Sequence, residues 1–88
     1  MITKTGFVVE LEANALDDWE LMEDLAEITD ENPNPKAIKS VITRLIGGEQ
    51  YKKLKEHCRD KSGKVRVSAI MNELSNVFEA AGEGAKNA

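Results

Sequence analysis

The sequence has very few of the residues on which disulfide-stapled, exported and membrane proteins depend. Its 88 residues include one cysteine, Cys58, one histidine, His57, and two prolines. A single cysteine cannot form a disulfide within the chain, and no apolar run approaches the ~20 residues of a membrane span. The first six residues lack the apolar stretch and small-residue cleavage site of a signal peptide. We therefore expect a cytoplasmic protein that does not enter a membrane.

The same scarcity restricts the chemistry open to the chain. A catalytic nucleophile needs a base within hydrogen-bond reach, and catalytic zinc usually takes three protein ligands. Adjacent helical residues point in different directions, so His57 and Cys58 form neither arrangement by themselves. The pair Gly47-Gly48 lacks the Gly-Lys-Ser/Thr ending of a phosphate loop. We predict no catalytic residue, no metal site and no cofactor, and therefore no enzyme.

Charge is abundant but divided along the chain. Residues 1–32 hold ten acids and one base, whereas residues 36–66 hold ten bases and three acids. The chain should therefore have an acidic pole and a basic pole. These poles could neutralise each other internally, pair head to tail between copies, or remain two solvated faces.

Hydrophobic periodicity predicts an all-α domain of four helices behind a short extended N-terminal arm. In the arm, Phe7, Val9 and Leu11 alternate with polar residues, which is the pattern of a strand. The helices have the apolar stripes of amphipathic segments, with Asn14, Asn34 and Ser68 as expected N-caps. We predict helices near residues 15–29, 35–46, 49–59 and 69–81. A single domain then spans residues 1–82, Gly82 ends its last helix, and residues 83–88 form a disordered tail.

The apolar stripes also predict the core, which should be thin in so small a domain. The predicted core positions are Leu21, Leu25, Ile28, Ile38, Val41, Ile42, Leu45, Leu54, Ile70, Leu74, Val77 and Phe78.

Partner-binding residues are predicted on the arm and at the two charged poles. Trp19 lies at the edge of an apolar face beside acids, where it is either a core residue or an interface anchor. The arm offers apolar contact, and the poles offer charge that would orient a second copy or another partner. The candidates are Trp19, Phe7, Val9, Asp17, Glu20, Asp24, Lys52, Lys53 and Arg59.

Four short segments, taken in order, resemble a known protein family. They are Ala15–Leu21 (ALDDWEL), Gly48–Lys55 (GEQYKKLK), Asp60–Val67 (DKSGKVRV) and Val77-Phe78-Glu79 near the end of the last helix. Together they resemble the small tail assembly chaperones of long-tailed bacteriophages and their prophages. The resemblance implies a mainly helical, non-enzymatic protein of the host cytoplasm. Such a protein assists the tape measure protein and tail tube subunits and is absent from the mature virion.

Two other functions stay open from the residues. A nucleic-acid-binding regulator could use the basic region Lys52–Arg66, although the acidic pole would oppose binding and only Tyr51 could stack on a base. The chain could also be a structural head–tail component, which would remain in the virion. Salt-sensitive retention of nucleic acid favours the first alternative, and presence in purified virions favours the second.

Overall fold

Three α-helices make up most of the computed structural model, which describes residues 2–86. They are α1 (Trp19–Ala26), α2 (Pro35–Cys58) and α3 (Val67–Lys86). Within the described residues, extended pairing is limited to two isolated bridges, Ile2–Val8 and Arg59–Val65. The prediction of an all-α fold is confirmed, but the helices number three rather than four.

The predicted second and third helices are the two halves of α2. The helix starts as expected, because Asn34 accepts hydrogen bonds from the backbone N–H groups of Lys36 and Ala37, and Pro35 is the first helical residue. At Gly47 the backbone leaves the helical region, with φ 83° and ψ 163°. Gly48 resumes the helix at once, so the glycine pair kinks α2 instead of ending it.

The helix α1 is shorter than predicted. Asp18, not Asn14, is its N-cap, and its carboxylate accepts from the backbone N–H of Leu21 at 3.1 Å. Asn14 lies in a turn, where its carbonyl accepts from the N–H of Asp17 at 3.0 Å. Asn and Asp both favour N-caps, so the sequence offered several starting points. The helix also ends at Ala26, three residues before the predicted end.

The last helix is longer than predicted at both ends. It begins at Val67, and the Ile70 N–H donates to the Arg66 carbonyl at 3.1 Å, so Ser68 lies inside the helix and is not its cap. It continues through Gly82 to Lys86, because a glycine inside a helix costs only about 1 kcal/mol. The predicted stop at Gly82 is therefore wrong. Of the predicted tail, residues 83–86 belong to α3, and residues 87–88 lie outside the described residues.

The core is built around α2, against which both other helices pack. Eight of the twelve predicted core residues are buried: Leu21, Ile38, Val41, Ile42, Leu45, Leu54, Leu74 and Val77. The other four, Leu25, Ile28, Ile70 and Phe78, are half-buried at the edge of the core. Within the described residues, no Cα of α1 comes within 8 Å of a Cα of α3. The backbones of the two helices therefore stay apart.

The N-terminal arm packs on its own helices. It folds back at Gly6, with φ 90°, and the Thr3 N–H donates to the Phe7 carbonyl at 2.9 Å. Phe7 and Val9 are 5% and 0% exposed and belong to the core. Gln50 of α2 accepts from the Glu10 N–H and donates to its carbonyl, which fixes the following part of the arm. The arm thus fills space that a three-helix core would leave open.

No helix in the described range combines the length and the apolar character that crossing a bilayer demands.

Candidate partner-binding surface

Among the described residues, Trp19 is the most exposed of the large apolar side chains. It is the first residue of α1, and 76% of its surface is accessible. Met22 lies one turn later and is also exposed. Residues three apart lie on the same side of a helix, so the outer side of α1 presents two large apolar side chains. Exposed tryptophans that become buried on binding often dominate the affinity of an interface.

Arg44 gathers three of the acids around α1. Its guanidinium lies 3.9 Å from Asp18, 3.4 Å from Glu20 and 3.2 Å from Asp24. Asp24 also accepts a hydrogen bond from the hydroxyl of Ser40. This bond makes the largest contribution to the lowered pKa of the Asp24 carboxyl, Arg44 lowers that pKa further, and burial partly opposes the shift. Of the predicted partner-binding acids, Glu20 and Asp24 therefore interact with α2 of the same chain.

The acids that do not contact Arg44 remain on the surface. They are exposed from the turn before α1 to the loop after it: Asp17, Glu23, Glu27, Asp30 and Glu31. Trp19 thus projects from a surface with an excess of negative charge.

The predicted basic residues lie beyond the kink in α2. Lys52 and Lys53 are exposed on its second half. Arg59 makes two hydrogen bonds to Glu56, at 2.9 and 2.8 Å, and a third to the carbonyl of Gly63 at 2.7 Å. Arg59 therefore stabilises the loop between α2 and α3. Arg59 is exposed like Lys52 and Lys53, but these bonds already engage its guanidinium.

The nine predicted partner-binding residues do not form one surface. Trp19 and the three acids belong to α1 and its N-terminal turn, which packs on the first half of α2. The basic candidates follow Gly47 on the second half and at its end. Phe7 and Val9 were also predicted to contact a partner, but the chain's own core buries both side chains, so neither offers free surface in this conformation. The exposed candidates of α1 and its N-terminal turn are Trp19, Asp17 and Glu20.

A buried polar cluster joins the arm to α3, and the sequence analysis missed it. Glu73 is 2% exposed, and its carboxylate accepts from the hydroxyls of Thr3, at 3.1 Å, and Thr5. The side-chain amide of Asn76 donates to the same carboxylate at 3.0 Å. A buried carboxylate persists only when such donors replace its water shell. Glu73 lies three residues after Ile70, at a core position of α3. A charged residue at a core position was the feature of the sequence that could have indicated this cluster.

His57 and Cys58 lie beside this cluster. The His57 Nε2 is 2.9 Å from the Thr5 hydroxyl, and its ring packs on Phe7 with centroids 5.4 Å apart. Burial, reinforced by Glu73, raises the pKa of the Cys58 thiol. The thiol is then protonated at neutral pH and a poor nucleophile. The contacts around these residues fasten the arm to the helices.

Between residues 2 and 86, no three His, Cys, Asp or Glu side chains cluster closely enough to hold a metal ion.

Comparison with known protein families, curated proteins and solved structures finds no match for this chain. The geometry itself defines a small helical domain whose exposed tryptophan and surrounding acids are suited to contact another protein.

Proposed function

We propose that this chain is a non-enzymatic assembly chaperone of long bacteriophage tails, which acts on the tape measure protein and on tail tube subunits. The observation that carries the proposal is the exposure of Trp19. This residue lies inside Ala15–Leu21, one of the segments that resemble the tail assembly chaperones. A segment that combines this resemblance with an exposed apolar anchor is the best candidate for partner contact.

The surface around Trp19 suits repeated, reversible binding along an extended partner. A single exposed tryptophan with Met22 beside it offers a small apolar contact, and the surrounding acids add orientation and faster association. Such contacts hold a partner during assembly and release it afterwards. The proposed chaperone works in the cytoplasm of the bacterial host and leaves before the virion is complete.

Co-expression with a bacteriophage tape measure protein tests the proposal. We expect the chain to raise the soluble yield of that protein and to co-purify with it. Trp19→Ala should weaken co-purification about tenfold or more, as for an interface hot spot. Val67→Ala is the matched control, because Val67 is another exposed large apolar residue. Equal retention by the Trp19→Ala variant and the parent would contradict the proposal.

The same preparation separates the two alternatives. Nucleic acid that co-purifies in low salt and dissociates in high salt would favour a regulator. The bonds of Arg59 to Glu56 and of Arg66 to Asp60, at 2.7 Å, weigh against it, because they occupy guanidinium groups that would bind phosphate. Detection of the chain in purified virions would favour a structural head–tail component.

A further inference from the structure

An open apolar groove runs between α1 and α3. Its volume is about 450 Å³, and its apolar lining consists of Leu25, Ile28, Met71, Leu74 and Phe78. Asp30 and Ser75 lie among its polar lining residues. The groove exists because α1 and α3 both pack on α2 while their backbones stay apart.

The amphipathic segments carry more apolar surface than the folded chain buries. Leu25, Ile28 and Phe78 occupy core positions of their amphipathic patterns, yet each is only half-buried. Helical domains normally bury such stripes against another element. In this chain, the missing element is the one that would lie in the groove between α1 and α3.

We propose that this groove binds a basic amphipathic α-helix of a partner protein. The inference rests on the proposed function, since it specifies which part of the assembly partner the chain would hold. A helix docks in such a groove by inserting large apolar side chains spaced at i, i+3 or i+4, and i+7. The half-buried residues of α1 and α3 would form the two walls that receive them.

The negative charge near the groove favours a basic partner helix over an acidic one. Residues 16–34 contain eight acids and no lysine or arginine. Arg44 lies near only three of these acids, Asp18, Glu20 and Asp24. The other five are exposed, and one of them, Asp30, lines the groove itself. Lysine or arginine on the side of the helix that faces Asp30 and the acidic α1 segment would complement this charge, whereas acids in those positions would be repelled.

A second copy of the chain fits this groove poorly. Two copies that met groove to groove would bring the same acids together in a two-fold contact. The basic half of α2 cannot serve as the docking helix either, because its Leu54 is 0% exposed inside its own core. A copy therefore offers charge without an accessible apolar stripe. The occupant we infer is a different polypeptide.

Binding of a synthetic helix tests the groove directly. The probe is a fluorescently labelled peptide of about five helical turns, with leucines on one stripe and lysines elsewhere. Its twin carries glutamates in place of the lysines. Fluorescence anisotropy with the full chain should show saturable binding of the lysine peptide and none of the glutamate twin. Binding of both peptides, or of neither, would overturn the proposal.

Two pairs of variants locate the binding site. Ser75→Trp places a bulky side chain in the groove and should weaken binding about tenfold, whereas Ser68→Trp, on an exposed part of α3, should not. Asp30→Lys should weaken binding more than Glu49→Lys, which changes the net charge equally on α2. Equal effects of the two tryptophan variants would show that the peptide does not bind in the groove, and equal effects of the two lysine variants would show non-specific charge attraction. Either result would overturn the proposal. Dimerisation abolished by Ser75→Trp would overturn it in favour of a second copy.

The outcomes separate this inference from the proposed function. If the tape measure protein co-purifies and Ser75→Trp leaves that unchanged, the groove proposal fails and the chaperone function stands. If the lysine peptide binds in the groove and the tape measure protein does not co-purify, the function fails and the groove proposal stands.

Discussion

The two halves of α2, which lie before and after Gly47, differ sharply in how much of their surface is buried. Before Gly47, the helix contributes six buried residues: Ala37, Ile38, Val41, Ile42, Leu45 and Ile46. After it, within the described helix, Leu54 alone is buried, and lysines occupy much of the surface. The first half contacts α1 through the bonds of Ser40 and Arg44 to Asp24, and the second half holds the N-terminal arm through Gln50 and His57.

This contrast assigns different tasks to one helix. The first half contributes most to stability, because burial of apolar surface is the main favourable contribution to folding. The second half presents positive charge and is attached through one buried leucine, through the half-buried Tyr51 and Cys58, and through the arm. The kink allows each half to present its own face, so one continuous stripe is not needed.

The largest expected effect comes from shortening a buried leucine in each half. Leu45→Ala should lower the free energy of unfolding by about 2–5 kcal/mol, through lost apolar burial and the cavity left behind. Leu54→Ala should cost a similar amount but should also detach the second half locally. Chemical denaturation measures the first effect, and amide hydrogen exchange measures the second.

The exchange pattern decides whether the two halves are separate units. In Leu54→Ala, amides of residues 48–58 should lose protection while those of residues 38–46 keep theirs. In Leu45→Ala, protection should fall in both halves. The same exchange pattern in both variants would mean that α2 unfolds as one unit, and the contrast between its halves would then have no energetic basis.

The next largest effect concerns the boundary itself. Gly47→Ala should destabilise the protein by about 1–3 kcal/mol, because φ 83° with ψ 163° is a conformation that essentially only glycine adopts. An added Cβ would meet no atom within 4 Å at Gly47 or at its neighbour Gly48, so backbone strain is the main cost of the substitution at Gly47. Gly48→Ala is the matched control and should stabilise by about 0.5–1 kcal/mol through helix propensity. Thermal melts of both variants measure these changes.

Much of the fold was predictable because its signals are local. The stripe of Ile38, Val41, Ile42 and Leu45 and the cap at Asn34 were expected and found. The glycine pair correctly marked a break in helical geometry, but the sequence could not show that the helix resumes at Gly48. The helix ends were less predictable, since Asn14 and Asp18 are both suitable caps and tertiary packing decided between them.

The candidate surface was less predictable because it depends on contacts between distant residues. The sequence pattern predicted an extended arm that contains Phe7 and Val9, and only the folded chain shows that these residues belong to its core. The bonds from Thr3 and Thr5 to Glu73 join residues 70 and 68 positions apart, so no local period indicates them. Trp19 was a plausible core or interface residue, and only the folded chain shows that its side chain is exposed.

A smaller effect is expected from pH, in the loop that follows the second half of α2. The hydroxyl of Ser62, followed by Arg66 and the backbone N–H of Lys64, lowers the pKa of Asp60 from 3.8 to about 2. The unfolded chain then binds a proton more readily than the folded one. Asp60 therefore stabilises the fold above about pH 5 and loses this contribution as the pH falls to about 2.

Asp60→Asn tests this contribution. Denaturation curves between pH 2 and 7 should show a weaker acid dependence in the variant and lower stability at neutral pH. Ser62→Ala should give an intermediate result, because it removes the largest cause of the shift and leaves Arg66 in place. Parallel curves for the parent and Asp60→Asn would contradict the role of this loop.

The smallest effect on stability, and the most direct test of the basic half, comes from reversing its exposed charge. Lys52→Glu with Lys53→Glu should change the free energy of unfolding by no more than about 0.5 kcal/mol, since both side chains are exposed.

The acidic surface around α1 and the basic half of α2 could still attract each other between copies, head to tail. Exposed ion pairs contribute only about 0–1 kcal/mol each, so Trp19 and Met22 would have to supply apolar contact. Sedimentation velocity should then show self-association that weakens as salt rises and that the double variant abolishes. A monomer at every protein concentration in low salt, unchanged in the variant, would mean that the two halves of α2 differ in solvation and not in partner binding.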